Sequence, residues 1–205
     1  MIAIIDYQMG NVQSVLNAVE HVGARAAIVR SPQGLEAADK VILPGVGAFA
    51  AGMENLRKLG FVEALEKSVL KEKTPFLGIC LGMQLLCRES SEFGLHPGLG
   101  WIDAAVRPFD KDLGLRIPHM GWNSLRVERE NRLIRAEKPG ADLDVYFVHS
   151  FFVDAPGAEF VSATCEYGAR FAAAIEKGNI FATQFHLEKS QKTGLDILRR
   201  FCEPC

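Results

Sequence analysis

No stretch of this chain approaches the roughly 18 consecutive apolar residues that a helix needs to cross a bilayer, so no membrane span is expected. The opening residues Met1-Ile2-Ala3-Ile4-Ile5-Asp6 carry no basic segment and no long apolar run, and do not read as a secretory leader. Cysteine is scarce: five in 205 residues, at Cys80, Cys87, Cys165, Cys202 and Cys205. An odd count at irregular spacing fits free thiols in a reducing cytoplasm better than a disulfide framework. An excess of one charge is also lacking. The formal net charge is −2 and there is no Lys/Arg-rich run, which argues against a nucleic-acid partner. Repeats, low-complexity tracts and linkers are absent as well, so residues 1–205 are expected to form one domain.

What is present is ordinary globular composition, 48% hydrophobic and 23% charged. Short apolar, β-branched runs open the chain and recur: 2–5, 27–29, 41–43 and 76–79 all read as buried strands. Helical patterns lie between them. Asn11 can cap a helix whose apolar positions include Val12, Val15, Leu16 and Val19. Residues 48–70 carry another helical pattern, broken near Gly60. Beyond Gly100 the runs become short, alternating and turn-bounded, at 104–106, 124–127, 145–150, 160–164, 171–175 and 180–184. A last helix is expected over about 189–201. The expected fold is α/β: an open, mostly parallel, flavodoxin-like sheet flanked by helices, with antiparallel strands added by the second half.

Gly78-Ile79-Cys80-Leu81-Gly82 follows one of the buried strands and precedes a helical run expected over 83–87. Small residues two before and two after a nucleophile let the chain make the sharp strand-to-helix elbow known from Gly-x-Ser-x-Gly hydrolases. The elbow presents the side chain at the carboxyl end of the sheet, and the dipole of the following helix favours thiolate over thiol. The alternative is a buried structural cysteine between two packing glycines. A cysteine nucleophile needs a base and a group to orient that base. His186 follows the run 180–185, and Glu188, two residues on at the start of the last helix, can reach back to the imidazole; the bland reading is a polar strand end with a capping Glu. Pro44-Gly45-Val46-Gly47-Ala48 ends another strand. Its backbone N–H groups, with that of Leu81, could hold an oxyanion, or the glycines could serve only a tight turn.

Taken together, Gly78-Ile79-Cys80-Leu81-Gly82-Met83-Gln84 and Gln184-Phe185-His186-Leu187-Glu188-Lys189-Ser190 resemble the class I (triad) glutamine amidotransferases, over essentially the whole chain. The segments Asp6-Tyr7-Gln8-Met9-Gly10-Asn11, Pro44-Gly45-Val46-Gly47-Ala48-Phe49, Pro118-His119-Met120-Gly121-Trp122-Asn123 and Tyr146-Phe147-Val148-His149-Ser150-Phe151 are similar to the glutaminase subunits of imidazole glycerol phosphate synthase in histidine biosynthesis. The resemblance implies a Cys80–His186–Glu188 triad, an oxyanion site at Gly47 and Leu81, and glutamine contacts at Gln84, Glu92, Ser150 and Phe151. It implies a face toward a partner at Asn11, Trp122, Tyr146 and Lys189. That partner would be the cyclase subunit, a (β/α)8 barrel, in a heterodimer that receives the ammonia. No metal or cofactor is implied.

Two positions depart from the family pattern. Leu187 stands where proline is usual, so the link between His186 and Glu188 is expected to be looser. Gln8 stands where a small residue is commoner. Cys202 and Cys205 form a Cys-x-x-Cys with no second pair, too few ligands for a usual zinc site. Cys87 and Cys165 read as packing, His21 as surface, and His119 and His149 as hydrogen-bonded structural histidines. Two rival readings are a glutaminase subunit of another pathway, which the segment 118–123 argues against, and a non-enzymatic binding module, which an intact Cys80, His186 and Glu188 argues against.

Overall fold

The computed structural model describes the chain apart from Lys111, Leu113, Glu130, residues 136–142, Pro156, Pro204 and Cys205. In chain order the elements are β1 (Ile2–Ile5), α1 (Val12–His21), β2 (Ala26–Val29), β3 (Lys40–Gly45), α2 (Phe49–Lys58), α3 (Phe61–Leu65), β4 (Phe76–Cys80) and α4 (Leu81–Gln84). They continue with β5 (Cys87–Ser90), β6 (His96–Pro97), β7 (Ile102–Pro108), β8 (His119–Val127), β9 (Leu143–His149) and β10 (Phe151–Asp154). The last are β11 (Val161–Tyr167), β12 (Ala169–Lys177), β13 (Ile180–Thr183) and α5 (Gln191–Cys202).

The sheet runs β2-β1-β3-β4-β13-β12-β10-β7-β5-β6, with β11 paired to β12 and β8, and β9 paired to β8. The first five strands are parallel neighbours. Their continuous apolar runs follow from burial on both faces. Alternate residues of one strand go to opposite sides: Ala3 and Ile5 pack with Phe49, Met53, Leu56, Phe61 and Leu65 of α2 and α3. Ile2 and Ile4 pack with Val15 and Val19 of α1 and with Ile197, Leu198 and Phe201 of α5. The result is helices on both faces of the sheet, as the alternation along the chain predicts.

Local signals act where expected. Asn11 caps α1, its side chain accepting from the Ser14 amide at 3.1 Å. The helical region after Ala48 breaks at Gly60, which takes a left-handed φ of 74°. Three expectations need correction. The helix after the elbow stops at Gln84, and Cys87 opens β5 instead of lying in that helix, because the segment pairs in parallel with β7 and antiparallel with β6. The run at 180–184 is not an antiparallel addition. As β13 it lies parallel to β4 and antiparallel only to β12, so it belongs to the central sheet. Glu188 lies in a 3-10 turn, Leu187–Lys189, ahead of α5. Strands β5, β6 and β10 were not expected at all; each is short and defined by its neighbours.

No helix among the described residues is long and apolar enough to cross a membrane. Cys87 and Cys165 are buried, Cys202 is half-buried and His21 is exposed; Cys205 lies outside the described residues. Gln8 finds its account here. It has φ 67°, a left-handed conformation that costs an L side chain about 1–2 kcal/mol and a glycine nothing. Its amide donates to the Asp6 carboxylate at 3.1 Å, which helps hold the turn. Gln8→Gly is therefore expected to raise the unfolding free energy by roughly 1 kcal/mol in equilibrium denaturation, the relieved strain outweighing the added chain entropy.

Candidate active site

Cys80 ends β4 and caps α4 with φ 54° and ψ −106°, a conformation sparsely populated by L residues. The flanking glycines make this turn possible. A Cβ on Gly78 would sit 2.8 Å from the Gly82 carbonyl oxygen, and one on Gly82 would sit 1.9 Å from the Leu43 carbonyl oxygen. So α4 rests directly on the backbone of β3, and no side chain fits between. The helix has only four residues, which makes its dipole a smaller aid to a thiolate than the longer helix expected from sequence.

The base comes from the neighbouring strand. Thr183 pairs with Ile79 in the parallel ladder of β13 and β4, so the chain just beyond each strand emerges at the same edge of the sheet. His186 is buried there, and its Nδ1 lies 2.8 Å from Glu188 Oε1. With Nδ1 taken, the buried Nε2 is left on the side of Cys80; it makes no hydrogen bond among the described residues, and the nearby sulfur acts on the ring. Burial by itself would lower the imidazole pKa. The influence of Cys80 and Glu188 together outweighs burial and raises it from 6.5 to about 9. The arrangement therefore favours the protonated, imidazolium form of His186.

Leu187 does not loosen this geometry. Its side chain is buried in the core, and the turn is closed by the Lys189 amide on the His186 carbonyl and the Ser190 amide on the Leu187 carbonyl. Ser190 Oγ adds a bond of 2.6 Å to the His186 carbonyl. Packing and these bonds do here what proline's fixed φ does elsewhere in the family pattern.

A cavity of about 310 Å³ opens over the sulfur, lined by Gly47, Cys80, Leu81, Gln84, Glu92, Ser150 and Phe151, together with Val46, Pro118, Val148 and His149. It thus brings the proposed oxyanion and substrate residues to one place. Leu81 is the first residue of α4, so its amide has no intrahelical acceptor. In the Pro44 loop the Val46 amide is already engaged by the Met9 carbonyl at 2.9 Å, which leaves the Gly47 amide as the loop's candidate donor. Gly47 has φ 102°. Glu92 accepts from the Phe49 amide at 2.6 Å, at the start of α2, with one carboxylate oxygen. Gln84 donates to the Phe151 carbonyl at 2.8 Å.

Two site residues escaped the sequence reading. Tyr7 is buried with its hydroxyl under the Pro44 loop: a Cβ on Gly45 would sit 2.1 Å from it. Burial first, and Cys80 second, hold that hydroxyl well above the ordinary phenol range. Gln184, also fully buried, has its Nε2 3.7 Å from the Cys80 sulfur. The signal for Gln184 was its place two residues before His186, just beyond the end of β13.

The four residues read as partner-facing fall near the same edge. Trp122 pairs across β8 and β9 with Tyr146, their rings edge-on at 6.0 Å. Lys189 Nζ lies 5.7 Å from the centre of the Tyr146 ring. Trp122 is 49% exposed and Met120, two residues before it, is 61% exposed. The Tyr146 carbonyl accepts from the His186 amide at 3.0 Å, so this surface is one backbone bond from the base. Asn11 begins α1, which packs against the turn carrying Lys189.

A family profile described as glutamine amidotransferase class-I matches residues 3–205. The chain is 50% identical over 201 residues to imidazole glycerol phosphate synthase subunit HisH 1 of Campylobacter jejuni subsp. jejuni serotype O:23/36 (strain 81-176), covering 98% of each. It is 43% identical over 206 residues to the chloroplastic imidazole glycerol phosphate synthase hisHF of Arabidopsis thaliana, covering 100% of this chain and 34% of the plant protein. Among solved structures it resembles PurLQS from Thermotoga maritima, with a TM-score of 0.75 at 18% identity, over 98% of this chain and 96% of that one. That likeness speaks to the fold.

The His186 environment yields a titration. Nitrogen-resolved NMR should find the ring protonated through neutral pH and deprotonating near 9, the value to which its partners raise it. In Glu188→Gln burial is less opposed, so the ring should lose its proton at lower pH. Because the folded value lies above the unfolded 6.5, the associated stability is present below pH 6.5 and lost as pH rises through about 9. A ring that titrates the same in both proteins would mean Glu188 does not act on His186.

Proposed function

We infer that this chain, which belongs to the class-I glutamine amidotransferase family, is the glutaminase subunit of an imidazole glycerol phosphate synthase, serving histidine biosynthesis. One observation carries the chemical part. A buried histidine holds a carboxylate on one nitrogen and presents the other to an elbow cysteine, at the floor of a cavity lined with polar groups.

The residues take these roles. The Cys80 thiolate attacks the carboxamide carbon of glutamine. The amides of Leu81 and Gly47 receive the developing oxyanion, each such donor being worth about 3 kcal/mol of barrier. His186, already carrying a proton, gives it to the departing ammonia, and Glu188 keeps the ring oriented. A glutamyl thioester is left on Cys80. His186, now neutral, takes a proton from water, which attacks the thioester; glutamate leaves and the thiolate is restored. Gln84, Glu92 and the Ser150–Phe151 backbone hold the amino-acid end of the substrate. The carboxylate of Glu92 suits its ammonium group.

Ammonia released into water at neutral pH is largely protonated and ceases to be a nucleophile, so the product needs a sheltered path. We propose that it passes to a cyclase subunit, a (β/α)8 barrel, in a heterodimer. The chain's match to about a third of the plant hisHF protein supports an association with a cyclase part. The face at Trp122, Tyr146 and Lys189, with Asn11 nearby, has the aromatic character of an interface core. The chain acts as one glutaminase domain, and its described cysteines are all free, which suits the cytoplasm.

The deciding assay mixes the chain with a cyclase subunit. Cys80→Ala should abolish glutamine-dependent product while ammonia-dependent synthesis survives. Continued glutamate release by that variant would remove Cys80 as nucleophile. At the interface, Trp122→Ala should weaken association with the cyclase by roughly 2 kcal/mol or more, measured by calorimetric titration.

A further inference from the structure

The chemistry above leaves a buried polar group beside the sulfur without a task. Gln184 Nε2 lies 3.7 Å from Cys80 Sγ, and its Oε1 lies 3.1 Å from Gln84 Nε2. The two ends of an amide are told apart by their partners. Here the partners suffice. A backbone carbonyl can only accept, so the Gln84 atom 2.8 Å from the Phe151 carbonyl is its NH2 group. The second hydrogen of that group goes to Gln184, which must meet it with oxygen. The Gln184 NH2 is then left facing the sulfur.

The same order runs on past Phe151. Its carbonyl also accepts from His149 Nδ1 at 2.8 Å. A neutral ring protonated on Nδ1 offers Nε2 as an acceptor, and His119 Nδ1 lies 3.1 Å from it. His119 in turn is left to accept on Nε2, where Asn123 Nδ2 stands at 3.3 Å. Burial lowers both imidazoles, to about 4 for His119 and about 3 for His149, so the rings are neutral at physiological pH and the order of donors persists. His119 is fixed between the rings of Phe147 and Tyr167 at 4.8 and 4.0 Å. Every link has one permitted direction, from Asn123 beside Trp122 inward to the Phe151 carbonyl, and from Gln84 to the sulfur.

We propose that Gln184 donates a hydrogen bond to the Cys80 sulfur that favours its attacking form, and that Gln84 is a positioning residue that holds the Gln184 amide in the donating orientation. The proposal rests on Cys80 being the nucleophile. A donor aimed at the ionised form of a group favours that form. Among the described residues, the other titratable groups facing the sulfur or its cavity are His186, backed by Glu188, Tyr7 from the loop after β1, and Glu92 on the cavity wall. From β9 the sulfur meets the Val148 carbonyl at 4.0 Å, and His149 acts on His186. Helix α4 brings no titratable side chain.

The test follows alkylation of Cys80 by iodoacetamide against pH in the full chain, read on the Cys80 peptide by mass spectrometry. Near neutral pH, Gln184→Leu should react about tenfold more slowly than the parent, the order expected for losing one hydrogen bond to a charged group. The two curves should converge in alkali, where the thiol ionises unaided. Equal rates, or one constant offset at every pH, overturn the proposal. Gln184→Glu keeps the shape and the bond from Gln84 but turns a carboxylate toward the sulfur. It should react more slowly still at neutral pH and carries the test if the leucine variant does not fold; a rate at or above the parent's overturns the donor role. Gln84→Leu, which removes the donor that fixes the Gln184 oxygen, should show a smaller loss with the same pH dependence, and an unchanged profile overturns the positioning role. Cys80→Ala reports separately on the nucleophile, so a flat Gln184 result with Cys80 still required defeats this inference alone.

Discussion

The parallel pairing of β4 with β13 is the contact on which the site depends. These two strands are far apart in the chain, yet their ladder sets Ile79 beside Thr183. A cysteine one residue beyond the first and a histidine three residues beyond the second then emerge together at the carboxyl edge of the sheet. Parallel strands have their carboxyl ends on the same side, and helices that cross back leave a crevice there. With β13 one place further out, Cys80 and His186 would be moved apart by a further strand spacing of roughly 4.8 Å, too far for a proton to pass directly between them.

Close backbone contact provides the second constraint. Gly78 and Gly82 leave α4 lying on the carbonyl of Leu43, and Gly45 leaves room for the Tyr7 hydroxyl beneath the loop that flanks the site. Cys80 itself is held at a positive φ that costs about 1–3 kcal/mol. The core supplies what sustains this strain, since β3, β4 and α4 are buried on all sides. A fold that was less tightly packed at this edge would relax the elbow and draw the sulfur back from the cavity.

Burial also decides the electrostatics. A lone imidazole in this interior would be neutral, as His119 and His149 are. His186 differs because a carboxylate bonds its Nδ1 and the Cys80 sulfur lies near, and their combined effect exceeds the cost of desolvation. Three histidines within one aromatic-rich region thus serve two purposes, set by whether an anion is in contact. The neutral pair lies between the exposed Trp122 surface and the Phe151 carbonyl, while the charged one faces the sulfur.

The sequence by itself determined what is local. The strand runs at 2–5, 41–43 and 76–79, the Asn11 cap and the break at Gly60 follow from burial pattern and backbone preference within a few residues. The elbow was legible because its glycines are demanded by the turn they make, and the Gln184 to Ser190 segment because it resembles a known family. Only the tertiary structure decided what depends on neighbours distant in the chain. It cut α4 short at Gln84 because the following residues found a strand to pair with. It made β13 a parallel strand, gave Gln8 its left-handed turn, and let a packed Leu187 hold the spacing that proline was expected to hold. It turned Gln184 from one letter of a motif into a donor beside the sulfur. A side chain's chemistry is written in its residue type, but its partner is chosen by long-range strand order and packing, which no short segment encodes.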